Sequence, residues 1–141
     1  ENNISDYKET LFKGATGFYG KKVFLLFSMD MSGIQDFIYT IASKNALKML
    51  RSRSFYLEIF MENLIDELLD YIGMSRSNLI YSGGGHAYII TANTENIKQK
   101  IVEFELKINE WLLDEFKTAL FLGCGYAECS ANELHNEPEG T

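Results

Sequence analysis

Proline is almost absent from this 141-residue chain, and the one present, Pro138, lies in a polar tail. No proline-rich segment therefore divides the sequence. Cysteine is scarce as well. Cys124 and Cys129 form no C-x-x-C pair, and a four-ligand zinc site would have to recruit His86 or His135. Two thiols without a secretory segment fit a reduced, cytoplasmic setting. No apolar run approaches the ~18 residues that span a bilayer, which excludes a transmembrane helix and a membrane partner. Basic residues are outnumbered, 13 against 20 acidic, for a net charge of −7. A surface of that sign argues against general nucleic-acid binding, though a local basic patch could still bind phosphate. The first residue is Glu1 rather than methionine, as expected of a processed chain or part of a larger one.

What is abundant is core material: 46% hydrophobic and 13% aromatic residues, enough for one packed domain. Residues 1–20 are polar, carry Gly14, Gly17 and Gly20, and read as a linker or arm with at most a short helix. Residues 23–28 are apolar without alternation and predict a central strand buried on both faces. Ser32 is a candidate N-cap for a short helix over 33–41. A long helix is predicted over 46–72, with Leu57, Met61, Leu64 and Leu68 at helical spacing and Gly73 as its stop. Strands over 78–81 and 86–91 flank Ser82-Gly83-Gly84-Gly85 as a hairpin. Thr94 caps a further helix whose apolar stripe runs through Ile97, Ile101, Phe104, Ile108 and Trp111. A last strand covers 119–126, and the tail after Cys129 is polar. The order β–α–α–β–β–α–β predicts an α+β, ferredoxin-like sheet, antiparallel, with helices packed on one face. The palm itself spans 21–130, between the arm at 1–20 and the tail at 131–141. That topology hosts many activities, so function must come from the residues.

Two segments carry chemistry. Asp30-Met31-Ser32-Gly33-Ile34-Gln35 follows the first strand, and Tyr81-Ser82-Gly83-Gly84-Gly85-His86 makes the hairpin. A strand ending in aspartate beside a glycine hairpin is the frame in which nucleotidyl-transferring palms hold a triphosphate and its metals. Asp30 can ligate magnesium or cap the following helix. Ser32 and Gly33 offer a phosphate seat at a helix start, or ordinary turn chemistry. A hairpin turn needs one or two glycines, so the third points to close approach of a ligand or of another backbone, or to a loose turn. Valine at Gly84 is expected to fill the ligand's space at little cost to folding. His86 is a base, a phosphate contact or a solvated strand end. Lys44, Lys48 and Arg51 share a helical face by i, i+4, i+7 spacing and form the one patch suited to phosphate or RNA, or a solvated face. Arg53 lies elsewhere around that helix and is expected to be partly buried against carbonyl or acidic groups.

Together, the segments 30–38, 42–44, 50–57 and 81–85 resemble the large subunit of type III-A CRISPR–Cas effector complexes, over about residues 21–130. The resemblance implies a multidomain antiviral protein with an HD nuclease domain and two cyclase-like, GGDEF-like palms. The second of these carries GGDD and, with its metals, makes cyclic oligoadenylate from ATP. Here Gly83-Gly84-Gly85-His86 stands where GGDD would stand, so the chain resembles the first palm. It would supply part of a composite ATP site, with Asp30, Ser32, Gly33, Ser82, Gly83, Gly84, Gly85 and His86 as nucleotide contacts. Mg or Mn would be needed only in the intact subunit, because two-metal chemistry requires clustered carboxylates and this hairpin has none. The partners implied are the sister palm, the other effector subunits and, through them, guide and target RNA. Two other readings stay open: a scaffold palm that docks subunits or RNA without touching ATP, and a degenerate cyclase-like sensor of a cyclic dinucleotide.

Overall fold

The computed structural model describes residues 8–9, 12, 14–39, 46–117 and 119–135. A short helix, α1 (Ala15–Tyr19), precedes strand β1 (Phe24–Ser32) and helix α2 (Ile34–Tyr39). The long helix α3 (Ala46–Ile72) leads through a 3-10 turn (Arg76–Asn78) into β2 (Leu79–Gly83) and β3 (His86–Ala92). Helix α4 (Glu95–Phe116), strand β4 (Phe121–Cys129) and helix α5 (Ala131–Leu134) complete the order. The sheet runs β2-β3-β1-β4 with every neighbouring pair antiparallel, the split βαβ arrangement expected from the element order.

The core lies between one sheet face and two helices. Leu25, Phe27, Met29 and Met31 of β1, Ala87 and Ile89 of β3 and Leu122 of β4 meet Leu57, Met61, Leu64, Ile65, Leu68 and Leu69 of α3. Ile97, Ile101, Phe104 and Leu112 of α4 close it. Each of the larger of these side chains contributes roughly 1.5–3 kcal/mol by leaving water. The helix ends are specified locally. Thr94 accepts from the Ile97 amide at 3.3 Å. Gly73, at φ 77, ends α3 while the Met74 and Gly73 amides donate to Leu69 and Asp70, a Schellman closure. Asn109 and Glu105 of α4 serve β4 from the side. Asn109 donates to and accepts from the Leu122 backbone at 2.8 Å each, and Glu105 accepts from the Cys124 amide at 3.1 Å.

Several expectations need correction. The first strand is not buried on both faces. It runs to Ser32 and alternates, with Leu25, Phe27, Met29 and Met31 buried and Asp30 and Ser32 exposed. The apolar run misled because Phe24 and Leu26 lie half-buried on the open face. Ser32 is therefore no N-cap. It pairs with Phe121, and α2 starts at Ile34 after Gly33, which takes φ 84. In α4 the buried position is Leu112, while Trp111 is 41% exposed. Beyond the last strand, Ser130 is buried and forms a capping box with Glu133 at the head of α5.

Candidate functional site at the glycine hairpin

The two sequence segments meet in space. The Met31 amide donates to the Gly85 carbonyl at 2.9 Å, tying the hairpin tip to the end of β1. One register step away, Asp30 and His86 are direct cross-strand partners, and Asp30 Oδ1 lies 3.0 Å from His86 Nδ1. Asp30 sits inside the strand rather than at its end, and its carboxylate is directed to the imidazole. On its other side stands Gly123, which offers no side chain.

The glycines differ in what they are needed for. Gly84 and Gly85 form the two-residue turn, at φ 61 and 88, a backbone that favours glycine. A Cβ on Gly85 would come within 2.3 Å of Ile34 Cδ1, so α2 packs against the tip. A Cβ on Gly83 would lie 2.8 Å from the Tyr81 hydroxyl, whereas one on Gly84 would meet nothing within 4 Å. Gly33 is held by backbone: a Cβ there would lie 1.9 Å from the Ala119 carbonyl oxygen. The close approach behind the extra glycine is thus made by Tyr81, and of the three hairpin glycines only Gly84 faces open space.

A pocket of about 410 Å³ lies under the hairpin, walled by Ser82 through His86, by Ile34 and Ile38 of α2, and by the Ser54, Glu58 and Glu62 side of α3. A second, of about 450 Å³, lies on the other side of the tip, between Gly84 and the Met31 to Asp36 turn. Of the expected contacts, Gly33, Ser82, Gly83, Gly84, Gly85 and His86 border one or the other. Asp30 and Ser32 border neither: both are exposed on the sheet face away from α3, where Asp30 pairs with His86. Lys48 and Arg51 are exposed on the first turns of α3, outside both pockets, and Lys44 lies outside the described residues. Arg53 is half-buried, as expected. Its Nη1 donates to the Phe37 carbonyl at 2.5 Å and its guanidinium lies 5.2 Å from the centre of the Phe37 ring.

Sequence reasoning missed the polar wall. Ser82 donates to Glu62 Oε1 at 2.6 Å, and Arg76 Nη1 lies 2.7 Å from Glu62 Oε2. Arg76 also forks onto Asp66 at 2.7 and 3.0 Å. The Ser82 hydroxyl, then the Arg76 guanidinium, hold the Glu62 carboxyl below its ordinary value. The four-residue spacing of Glu58, Glu62 and Asp66 on one helix face was the available signal. Neither cysteine joins this site, and burial, with Glu105 nearby, pushes the Cys124 thiol up to about 12.

These residues do not fit a metal. Divalent magnesium wants several oxygens, and Asp30 is paired with an imidazole and faced by glycine. Among the described residues no three His, Cys, Asp or Glu side chains converge. Nor is any described helix long and apolar enough to cross a membrane.

The chain shares sequence and fold with known proteins. It matches the family described as Csm1 subunit domain B over residues 23–140. It is 54% identical over 134 residues to the CRISPR system single-strand-specific deoxyribonuclease Cas10/Csm1 (subtype III-A) of Mycobacterium tuberculosis, covering 95% of this chain and 17% of that protein. A Csm1-Csm4 cassette solved in complex with pppApA superposes with a TM-score of 0.78 at 38% identity, over 89% of this chain and 17% of that one. The same cassette with AMPPNP gives 0.76 at 38% identity, over 85% and 17%. The chain thus spans about a sixth of the length of the relatives it matches.

Proposed function

The chain belongs to the Csm1 subunit domain B family, and we propose that it is the non-catalytic palm of a type III-A CRISPR large subunit acting in antiviral defence. In this reading it completes a composite ATP site for cyclic oligoadenylate synthesis with a GGDD-bearing sister palm that the chain does not contain. The observation that carries the reading is the pocket of about 410 Å³ under the glycine hairpin, a size typical of small-molecule sites. Its α3 wall presents acceptors, Glu58 and Ser54, suited to a base edge with amino donors. Gly83, Gly84 and Gly85 let phosphate oxygens approach the backbone, and His86 is oriented beside them by Asp30. Ser32 and Gly33, at the far side of the tip, complete the contacts. The names of the related cassettes, with AMPPNP and pppApA, support an adenine nucleotide.

The chemistry assigned to this palm is binding and orientation. Among the described residues no carboxylate cluster could hold a two-metal centre, which supports a palm that makes no cyclic product from ATP by itself. Lys48 and Arg51 remain candidates for phosphate or RNA contact, since both are solvent-facing on α3. Csm4, named in the related cassettes, is the chemical precedent for a subunit partner.

Photolabelling tests this reading. The intact subunit, irradiated with 8-azido-ATP, should carry label on the hairpin residues 82–86 or on the α3 segment 54–62, and unlabelled ATP should compete it away. Label confined to the sister palm would leave this domain as a scaffold without nucleotide contact.

A further inference from the structure

We infer that Arg76 is a positioning residue that, through Glu62 and Ser82, sets the glycine hairpin at a fixed height above the pocket floor. The structural part stands alone, and its functional consequence rests on the nucleotide reading above.

Beyond the Gly83–His86 pairing and the packing of Ile34 on Gly85, the hairpin tip has little to hold itself with. Its turn residues carry no side chains, and Gly84 has open space around it. Its place is set by anchors on either side. On one side the Met31 amide holds the Gly85 carbonyl. On the other, Ser82, the residue before the three glycines, donates to Glu62 of α3 at 2.6 Å. Glu62 and the hairpin are opposite walls of the same pocket. The Ser82–Glu62 bond therefore fixes the distance between those walls.

A half-exposed glutamate has rotamer freedom of its own. Arg76 removes it. Its Nε and Nη2 grip both oxygens of Asp66 at 2.7 and 3.0 Å, and the remaining Nη1 lies 2.7 Å from Glu62 Oε2. Glu62 and Asp66 are one helical turn apart, so one planar fork can serve both. Arg76 is itself fixed. It sits on the 3-10 turn closed by the Ser75–Asn78 capping box, and Asn78 Nδ2 donates to the Ile90 carbonyl of β3 at 2.9 Å. The chain of contacts thus runs from β3 through the turn and α3 to the hairpin.

An exposed ion pair that only stabilised the fold would contribute little, and lysine would replace arginine adequately. Positioning makes a different demand, because lysine keeps the charge but cannot fork. The test uses the intact subunit with R76A, R76K and S82A, and two readouts: amide hydrogen exchange without ligand, and ATP binding by titration. Both R76A and R76K should speed exchange at residues 83–86 about tenfold while exchange in α4 stays unchanged. ATP affinity should fall about tenfold in each, within the ~10²-fold that a ~1 Å misplacement can cost. S82A should match them, and adding R76A to S82A should cost little more, since both act through Glu62. R76K behaving as the parent, or exchange rising equally in α4, would overturn the inference. Faster hairpin exchange in a subunit whose parent form binds no ATP would instead leave the positioning role standing and sink the nucleotide reading.

Discussion

Along β1, Leu25, Phe27, Met29 and Met31 turn toward the helices and are at most 3% exposed, whereas Asp30 and Ser32 of the same strand face the open side. The covered face is aliphatic and aromatic, filled by two amphipathic helices. The open face and the hairpin rim carry the imidazole, the carboxylate and the glycines. The lesson is one of partial separability: Leu25, Phe27 and Met29 of the core line neither pocket at the hairpin, whereas Leu57, Met61 and Ile65 serve both the core and the first pocket, and Met31 both the core and the second. The largest test of that separation is Phe27→Ala. Phe27 is 1% exposed at the centre of the core, and its truncation should cost ~3–5 kcal/mol in denaturant unfolding.

Gly33 should break the separation, since it lies at the rim but is held by backbone. Alanine there would set a Cβ 1.9 Å from the Ala119 carbonyl oxygen at a φ of 84. Overpacking of that kind costs ~1–3 kcal/mol, and the left-handed backbone adds ~1–2 kcal/mol. A melt within error of the parent would show that the 119 segment simply yields.

Arg53 and Lys48 divide the comparison within one helix. Arg53→Ala removes a half-buried donor to the Phe37 carbonyl and should cost ~1–3 kcal/mol. Lys48→Ala, at an exposed position, should stay within ~0.5 kcal/mol. It should weaken polyanion binding in a salt-dependent way if the patch serves phosphate or RNA. Equal losses of stability at the two positions would mean that the helix faces are wrongly assigned.

Much of this was legible in the chain. The bounds of the long helix, its Gly73 stop, the Thr94 cap and the order of elements along the chain all follow from local signals that tertiary structure did not override. The half-buried Arg53 followed from helical phase alone. What stayed hidden depended on contacts distant in sequence. Trp111 and Leu112 both continue a stripe from Ile108 at i+3 and i+4, and only packing into the core selects Leu112. The Ser82–Glu62 bond spans 20 residues and leaves no periodic trace. Asp30 looked like a metal ligand or a cap because its partner, His86, comes from a strand whose register no local pattern specifies.

Acid should probe the rim without touching the core. The Glu62 carboxyl is held below its ordinary 4.5, first by the Ser82 hydroxyl and then by Arg76. A group depressed on folding contributes stability that is fully present above its unfolded value and is lost as pH falls through its folded one. Melting temperature should therefore decline below about pH 4.5, and the Glu62→Gln variant should show a shallower decline. Because the pair is nearly half exposed, the difference should be under ~1 kcal/mol. Identical acid slopes in the two proteins would mean that the Ser82–Glu62 contact contributes nothing in solution.

Gly84 should give the smallest stability effect and the sharpest functional one. The expectation that valine would be tolerated there fails on the backbone. At φ 61 a β-branched residue is strained even though a Cβ would meet nothing within 4 Å. Gly84→Val therefore confounds folding with ligand access. Asparagine is the better probe, because it visits the left-handed region at low cost and is common in such turns. Gly84→Asn should shift stability by only a few tenths of a kcal/mol. Its side chain would nonetheless project from the tip that separates the two pockets. In the intact subunit, nucleotide binding and product formation should fall while the melt stays put. If both remain at the parent level, the open space around Gly84 is solvent and the ligand lies elsewhere. If the melt falls instead, the tip is part of the structural half of the molecule, and the division drawn between the two faces does not extend to it.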